Sequence, residues 1–450
     1  MEYILRQSYL NEIQKFINKP VTKILIGMRR VGKSTLLKII SEVLLKDIPS
    51  ENKIFMNFES LELLNIRNAE TFAKHIQAFL KQNNDKKYFF FDEIQVVHHW
   101  EEVINGLQAD YDCDIYITGS NSTMLSSDLA TVLAGRYVQF EIYPFTFKEF
   151  IDCYKDLQLS QEEYFTKFIE IGGLPAVKHF QLDPNPSYRY LSDIYNTVLV
   201  KDVLEYNQIR DIDIFNRILL YAAENISHTF SALNIRNFLK SEGRNVSVDT
   251  VLNYLNFCIN AFILKKVPRY DTIGKNILKV EEKYFLTDHG FRQAKGFSNT
   301  KDIERVLENI VYTELLQRGY TVYIGKVKDK EIDFIAEKDG KRLYFQVCYL
   351  LATAETRKRE FKVYHEISDN HPKYILSMDT IDFSQEGYIH KNIIHWLLDK
   401  EYDPTKKSLQ NGVIFCVCFL TKYSIFIFNN KLQLYLEYPM NSLVLLMNVH

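Results

Sequence analysis

The feature that most constrains this chain is a glycine loop between an apolar run and a helical pattern. Residues 27–34 read Gly-Met-Arg-Arg-Val-Gly-Lys-Ser, directly after the apolar run Lys23–Ile26 and before the helical pattern Thr35–Leu45. A strand, such a loop and a helix N-terminus present backbone N–H groups to phosphates, while the lysine and the serine reach the phosphates and Mg²⁺. The loop therefore predicts a nucleotide-phosphate site. Its predicted binding residues are Gly27, Arg29, Arg30, Val31, Gly32, Lys33, Ser34 and Thr35.

An alternation of apolar runs and amphipathic stretches between residues 21 and 140 indicates the sheet that carries this loop. Such alternation is typical of parallel strands covered by helices on both faces. The predicted strands are Lys23–Ile26, Lys53–Phe58, Tyr88–Phe91, Asp114–Thr118 and Tyr137–Ile142. The fold class predicted for residues 1–145 is α/β, with a parallel-sheet core.

Two carboxylates follow the third of these runs. Asp92 and Glu93 come directly after the aromatic run Tyr88–Phe91. Open α/β sheets bind ligands at the carboxyl ends of their strands, so we expect both side chains beside the loop. We predict that Asp92, together with Ser34, binds Mg²⁺ and that Glu93 orients or deprotonates the attacking water. The pairing of loop and carboxylates favours hydrolysis over binding alone.

Further stretches make the chain resemble a large group of prokaryotic AAA+ P-loop ATPases, which join this core to a winged helix and a restriction-endonuclease-like domain of unknown function. The likeness covers nearly all of residues 1–400. The matching stretches are Ile24–Thr35, Phe90–Gln95, Ile117–Asn121, Leu133–Arg136, Tyr143–Phe150, Gly172–Pro175 and Lys283–Gly290. The resemblance implies an ATPase that uses ATP and Mg²⁺.

The same resemblance implies two further catalytic residues besides Glu93. A γ-phosphate sensor is implied at Ser120 or Asn121, and we assign it to Asn121, whose short polar side chain follows a strand end. An arginine finger is implied at Arg136, acting on the site of a neighbouring subunit. The alternatives are a turn with a helix cap at Ser122 and a surface ion pair of Arg136.

Three polar residues near the loop leave alternatives open. Arg29 and Arg30 place two more cations beside the phosphates, so one of them contacts phosphate, or the loop is anchored to a neighbouring carboxylate. Asn57 ends the second predicted strand. A further hypothesis is that Asn57 holds Glu93 inactive until a partner binds.

Residues 146–221 and 222–298 predict a helical lid and a winged helix. In the lid, helical spacing of apolar residues is interrupted at Gly172–Pro175. In the second unit, amphipathic helices at Ser231–Ser241 and Ser247–Asn260 precede an extended basic stretch. The second helix lacks Lys and Arg, which DNA-binding helices normally carry. The alternatives are a wing packed against the ATPase and a wing that binds DNA through Lys265, Lys266, Arg269, Lys275, Lys279 and Lys283.

Residues 299–400 predict a small α/β domain that resembles the restriction-endonuclease-like fold. The resemblance lies in Glu308, Asp333 and Gln346-Val-Cys348. That fold needs a lysine where Cys348 stands, and a thiol cannot supply the positive charge, so we expect no nuclease activity. A nucleic-acid-binding or structural role, with Asp333 capping a turn, is the alternative.

Residues 401–450 form an apolar tail of unclear status. Its apolar runs predict three strands or an extension beyond the usual end of such proteins. These runs are Val413–Leu420, Ser424–Phe428 and Lys431–Tyr438.

Composition indicates the cellular compartment of the protein but does not identify its partners. With 450 residues, 46% of them hydrophobic, the chain can bury several cores, and its net charge of −2 gives no overall nucleic-acid footprint. Six scattered cysteines indicate free thiols in a reducing compartment. The N-terminus lacks the features of a signal peptide, and no run reaches the ~18 apolar residues of a membrane span. We therefore expect a cytoplasmic protein without a membrane span.

These observations lead to one leading functional prediction and two alternatives. The leading prediction is Mg²⁺-dependent ATP hydrolysis coupled to conformational change of the C-terminal domains, in a homo-oligomer or with a protein partner. The first alternative is an ATP-powered DNA-binding or nuclease-related protein, for which nucleic acid would be the partner. The second is a slow, nucleotide-gated binding switch.

Overall fold

A computed structural model describes residues 3–80, 85–120, 133, 135–205, 207, 209, 211–274 and 276–399, together with the strand segments 423–428, 431–436 and 445–448. Residues 1–400 form one compact unit and residues 401–450 a second. Within these described ranges, no helix has both the length and the apolar composition that crossing a membrane requires.

The N-terminal sheet has five parallel strands in the order β2-β3-β4-β1-β5. All five lie where they were predicted, which confirms the α/β class. The strands are β1 (Thr22–Ile26), β2 (Lys53–Asn57), β3 (Lys87–Asp92), β4 (Cys113–Gly119) and β5 (Tyr137–Glu141). The helices that accompany them are α1 (Gln7–Gln14), α2 (Lys33–Ile39), α3 (Ala69–Leu80) and α4 (Trp100–Asp110).

The register of this sheet brings the ends of four strands to the same edge. Ile26 at the end of β1 pairs with Gly119 of β4, and Asn57 of β2 pairs with Asp92 of β3. Every residue of β1 is buried, as expected for a central strand covered on both faces. The loop that follows β1 therefore lies beside the ends of β3 and β4.

The chain between residues 147 and 260 is helical. Capping boxes at Thr146 with Glu149 and at Ser160 with Glu163 fix the starts of its first two helices. Ser231 and Ser247 cap the two helices of the predicted winged unit. The helices are α5 (Phe147–Tyr154), α6 (Gln161–Ile171), α7 (Pro184–Val198), α8 (Ile212–Glu224), α9 (Ala232–Ser241) and α10 (Val248–Asn260). A π-helical segment, Leu199–Glu205, continues α7.

A second sheet has seven strands in the order β12-β11-β10-β9-β8-β6-β7. Its strands are β6 (Leu264–Asp271), β7 (Asn276–Leu286), β8 (Thr321–Val327), β9 (Lys330–Lys338), β10 (Lys341–Val347), β11 (Lys373–Ser377) and β12 (Ile389–Asn392). The accompanying helices are α11 (Gly290–Ala294), α12 (Ile303–Gln317), α13 (Ala354–Lys362) and α14 (Ile393–Leu398). Asp339 and Gly340, with φ of 50° and 75°, make the predicted turn between β9 and β10.

This second sheet runs across the boundary drawn at residues 298 and 299. Strand β6 of the predicted winged unit pairs in parallel with β8 of the predicted C-terminal domain. The pairing was not expected, because strands far apart in sequence leave no local signal of their partnership. The winged-helix assignment and all domain boundaries stay predictions.

The described part of the tail contains a three-stranded antiparallel sheet. Its strands are β13 (Tyr423–Phe428), β14 (Lys431–Leu436) and β15 (Leu445–Asn448). The first two correspond to predicted strands, β15 was missed, and the prediction for Val413–Leu420 lies outside the described residues.

Candidate functional site

The loop after β1 has a backbone that depends on glycine. Gly27 has a φ of 140°, and a Cβ at this position would lie 2.3 Å from the carbonyl oxygen of Ile142. Gly32, with a φ of 95°, immediately precedes α2. Both values lie where L side chains are strained, so glycine lets the chain turn sharply from β1 into the N-terminus of α2. Such a turn is the expected form of a phosphate loop.

Lys33 begins α2 and turns back into the loop. Its Nζ donates to the carbonyl oxygens of Gly27 and Met28, at 2.9 and 3.1 Å. The same nitrogen lies 4.0 Å from Oε1 of Glu93. Burial lowers the pKa of Lys33, although the Glu93 carboxylate opposes this effect. The loop thus holds its lysine between two neutral carbonyl groups and the carboxylate of Glu93.

The two predicted metal ligands lie next to each other. Oγ of Ser34 donates to Oδ1 of Asp92 at 2.9 Å, and Oγ1 of Thr118 donates to the same oxygen at 2.6 Å. Burial raises the pKa of Asp92, while the hydrogen bonds from Thr118 and Ser34 lower it. A hydroxyl and a carboxylate are hard oxygen donors of the kind that Mg²⁺ prefers. The pair therefore fits Mg²⁺ of a P-loop site.

Glu93 follows Asp92 in a left-handed conformation, with a φ of 54°. Its N–H donates to Oγ1 of Thr118 at 2.9 Å, and its carboxylate accepts a hydrogen bond from Nε2 of Gln95. Nε2 of Gln95 also donates to Oγ of Ser120 at 3.3 Å. Thr118 and Gln95 therefore fix the direction in which Glu93 points. The predictions above missed both residues, which lie in or next to the matched motifs.

The hypothesis for Asn57 predicts a contact with Glu93. Among the described hydrogen bonds, Asn57 contacts Glu59 instead. Its Oδ1 accepts from the N–H of Glu59 at 2.9 Å, and Asn57 is exposed. Among the described hydrogen bonds, the amide that meets Glu93 is that of Gln95. The amide oxygen of Asn57 is used within its own turn, and the hypothesis that Asn57 restrains Glu93 stays a prediction.

The structure describes only one of the two remaining catalytic predictions. Asn121 is outside the described residues, while its neighbour Ser120 is buried at the end of β4. Arg136 is exposed, and its carbonyl accepts from the N–H of Thr22 at the start of β1. This start is separated from the loop by the length of β1, roughly 15–20 Å. Arg136 is thus not brought to the loop of its own chain.

Arg29 and Arg30 are placed differently. Arg29 forms an ion pair with Asp202 at 2.9 Å and a second with Glu59 at 3.3 Å. Arg30 is exposed and has a φ of 71°. The alternative in which the loop is anchored to a neighbouring carboxylate therefore describes Arg29. Asp202 could not be named from the sequence, since it lies 173 residues away.

Arg6 is a further residue that sequence reasoning missed. It is 3% exposed and donates to the carbonyl oxygens of Val31 at 3.3 Å and Tyr143 at 2.8 Å. Its Nη2 also pairs with Glu149 of the first capping box at 3.0 Å. Arg6 thereby joins the phosphate loop, the end of β5 and the start of the helical region.

A cleft of about 1360 Å³ borders the loop. It is large enough for a nucleotide, because small-molecule sites typically measure roughly 300–1,000 Å³. The loop, Asp92 and Glu93 line the cleft together with the segment from Pro175 and α7. The wall residues beyond the loop include Phe55, Asn57, Pro175, His179, Tyr190 and Ile194.

Asp288 connects the segment that precedes Pro175 with the second half of the chain. Its carboxylate accepts from the N–H groups of Gly173 and Gly290, both at 2.8 Å. A Cβ on Gly172 would lie 2.0 Å from Oδ1 of Asp288, so this close approach requires glycine. Burial raises the pKa of Asp288 to about 7 despite these hydrogen bonds. The motifs Gly172–Pro175 and Lys283–Gly290 therefore contact each other directly.

A group of charged residues around Lys283, here called the acidic cluster, lies in the second sheet. Its members are Arg269, Lys283, Glu308, Glu331 and Asp333. Lys283 is 3% exposed, and its Nζ lies 3.2 Å from Glu308 and 2.7 Å from Glu331. Burial opposes the charge of Lys283, but the carboxylates of Glu308, Asp333 and Glu331 outweigh burial and raise its pKa.

The acidic cluster does not fit the metal site of a nuclease. Lys283 occupies the space between two of the carboxylates, and the position of the expected lysine is held by Cys348, a buried thiol whose pKa is raised by burial. Oδ2 of Asp333 accepts from the N–H of Val347 at 2.8 Å, which agrees with the capping alternative. In the described ranges, no set of three or more His, Cys, Asp or Glu could hold a metal ion.

Four basic residues of the predicted wing, Lys265, Lys266, Arg269 and Lys283, form ion pairs. Lys265 contacts Glu141 of β5, and Lys266 lies 2.7 Å from Glu282. Arg269 lies 2.7 Å from Glu331. Lys275 lies outside the described residues. The contact of Lys265 with Glu141 favours the alternative in which the wing packs against the ATPase core.

Comparisons with known proteins agree with this geometry. Residues 19–151 match a family described as an AAA domain, and residues 162–301 match a family described as a domain of unknown function (DUF8612). An uncharacterised protein of Haemophilus influenzae is 35% identical over 399 residues, covering 88% of this chain and 98% of that protein. An uncharacterised protein of Methanocaldococcus jannaschii is 30% identical over 391 residues, covering 84% and 85%.

A solved structure, the Walker-type ATPase of Pyrococcus abyssi, is 15% identical with a TM-score of 0.47. The match covers 65% of this chain and 95% of the chain of the Pyrococcus abyssi protein.

Proposed function

This chain belongs to a family of AAA-domain proteins, and from that premise we propose that it hydrolyses ATP with Mg²⁺ and couples hydrolysis to movement of its C-terminal half. The observation that carries the proposal is the convergence of Lys33, Ser34, Asp92 and Glu93 at one edge of the parallel sheet. Lys33 and Ser34 come from the start of α2, and Asp92 and Glu93 come from the end of β3. Together they supply the cation, the metal ligands and the carboxylate that hydrolysis requires.

Each of these residues has one task in the proposed reaction. Ser34 and Asp92 would hold Mg²⁺, which when bound offsets the negative charge on the phosphate oxygens. Lys33 would leave the carbonyl groups of Gly27 and Met28 for the β- and γ-phosphates. Glu93, held in direction by Gln95, would orient or deprotonate the attacking water.

Two proposed roles depend on groups beyond this centre. Asn121 would sense the γ-phosphate from just past β4. Arg136 would act on the site of a neighbouring subunit, since its own site is at the opposite end of β1. This placement supports the proposal of a homo-oligomer.

Coupling to the C-terminal half is proposed through Asp288. The carboxylate binds the backbone of Gly173, two residues before Pro175 in the wall of the cleft. Asp288 lies two residues after Leu286, the last residue of β7 in the second sheet. A shift of the cleft wall would therefore pull on the second sheet.

A slow, nucleotide-gated switch is the second candidate. Gln95 and Asp202 occupy Glu93 and Arg29 with internal contacts, and such contacts would slow turnover until a partner removes them. We also propose that the second sheet does not cleave DNA, because Lys283 neutralises the carboxylates that a nuclease would need for metal.

Phosphate release with and without Mg²⁺ tests the main proposal. We expect Lys33→Ala to lower the rate by about 100-fold or more, because transition-state charge on the γ-phosphate loses its cation. Lys46→Ala, which changes an exposed lysine after α2, is the matched control and should keep the wild-type rate. An unchanged rate in Lys33→Ala would contradict the proposal.

A further inference from the structure

Arg29 belongs to the phosphate loop, yet a carboxylate from the lid holds it. Nε of Arg29 donates to both oxygens of Asp202, at 3.0 and 2.9 Å. Asp202 lies in the segment Leu199–Glu205, which continues α7. Since α7 forms one wall of the cleft, this ion pair fastens the wall of the cleft to the loop.

The Arg29–Asp202 pair lies beside the catalytic groups. Arg29 lines the same cleft as Lys33, Asp92 and Glu93. The charges of Glu93 and Lys33 both act on the ionisation of Asp202, and the charge of Glu93 acts on Arg29. The guanidinium therefore borders the place where Lys33 and Glu93 would meet the terminal phosphate.

A terminal phosphate would act on the two partners in opposite directions. Arg29, which is 21% exposed, attracts an added anion, whereas the carboxylate of Asp202, which is 6% exposed, is repelled by it. A buried carboxylate that loses its cation is costly to keep out of water. Asp202 would then move toward solvent, and its segment would move with it.

We propose that Arg29 exchanges Asp202 for the γ-phosphate of ATP, so that ATP releases Leu199–Glu205 from the loop whereas ADP leaves it attached. The proposal rests on the proposed function, because it needs a nucleotide in the cleft. It makes Arg29 the residue that distinguishes ATP from ADP within its own chain. Asp202 is the positioning residue that sets the strength of this preference.

Binding measurements on a charge variant test the exchange. We expect Asp202→Asn to bind the non-hydrolysable analogue AMP-PNP with Mg²⁺ about tenfold more tightly, because the competing carboxylate is removed, while ADP affinity changes less than about twofold. Arg29→Met should weaken AMP-PNP binding about tenfold and leave ADP within about twofold. Titration calorimetry gives both affinities, and equal changes for the two nucleotides would overturn the proposal.

Glu59→Gln is the graded comparison for Asp202→Asn. Both changes remove a carboxylate partner of Arg29, but Glu59 is 49% exposed and its interaction is screened by water. We therefore expect a smaller gain in AMP-PNP affinity than in Asp202→Asn. An equal or larger gain in Glu59→Gln would overturn the assignment to Asp202.

Hydrogen exchange in the wild-type chain provides a readout that needs no variant. Peptides covering residues 199–205 should exchange faster with AMP-PNP than with ADP, and Asp202→Asn should exchange fast without nucleotide. Equal exchange with both nucleotides would overturn the proposal. If wild type binds neither nucleotide, the proposed function itself fails. If it binds both and Asp202→Asn has no effect, only the exchange fails.

Discussion

Lys33 of the phosphate loop and Lys283 of the acidic cluster are both buried lysines that face carboxylates. Lys33 donates to two neutral carbonyl groups, lies 4.0 Å from its carboxylate and borders a cleft of about 1360 Å³. Lys283 is held at 3.2 Å by Glu308 of α12 and at 2.7 Å by Glu331 of β9. The comparison indicates that a buried lysine can bind a ligand when its contacts within the protein are weak enough to be exchanged for the ligand.

The largest expected difference between the two regions is the loss of stability when each lysine is replaced. Lys283→Met should destabilise the second sheet by about 3–5 kcal/mol, because it leaves the largely buried Glu308 without its cation, whereas Glu331 keeps Arg269. Native-state hydrogen exchange of amides in β7 and α12 measures this loss. Lys33→Met, whose carbonyl partners are neutral, should cost less than about 1.5 kcal/mol in β1 and α2. Similar losses at both sites would break the comparison.

The contact between the Gly172–Pro175 segment and the chain after β7 should respond to pH through Asp288 and His289. The pKa of Asp288 is raised by burial to about 7, so this residue stabilises the fold at low pH, and that stability falls as pH rises from about 4 to 7. The pKa of His289 is lowered by burial to about 4, so its contribution rises between about pH 4 and 6.5. The two slopes oppose each other, and the wild type should change little over that range.

Single variants separate these opposing slopes. Of these two effects, only that of His289 remains in Asp288→Asn. The urea concentration at the midpoint of unfolding should therefore rise from pH 4.5 to 6.5. In His289→Gln only the Asp288 effect remains, so the midpoint should fall from pH 4.5 to 7. Identical pH profiles for both variants would show that neither group titrates as the burial of this contact requires.

The smallest expected effect concerns the wing lysines. Lys266 already pairs with Glu282 at 2.7 Å. For any DNA binding, Lys266→Ala should therefore change the slope of log affinity against log salt concentration by much less than one. A lysine that contacts phosphate would reduce the slope of log affinity against log salt by about one. Fluorescence anisotropy of labelled duplex DNA measures the slope. A reduction by one would restore the DNA-binding alternative for the wing.

The parts of the molecule that sequence could predict are those encoded by neighbouring residues. The five strands, the glycine loop and the Asp92–Glu93 pair each have a short local pattern, because apolar runs and turn residues act over a few positions. Ser231 and Ser247 likewise mark helix starts that the structure shows. These features fixed the fold class and the position of the nucleotide loop.

The parts that sequence could not predict depend on side chains that meet across the fold. Arg29 meets Asp202 from 173 positions away, and Gly173 meets Asp288 from 115 positions away. The pairing of β6 with β8 is of the same kind. Lys283 was counted as a surface cation of the wing, whereas tertiary packing buries it among carboxylates. Burial of this kind has no signal in local composition.

The central claim is that the cleft beside Lys33 hydrolyses ATP by means of Glu93. Glu93→Gln keeps the shape of this side chain but removes its charge and basicity. We predict that the variant still binds ATP with Mg²⁺ and releases phosphate about 100-fold or more slowly than wild type in a single-turnover assay. Phosphate release at the wild-type rate, with ATP bound, would contradict the claim.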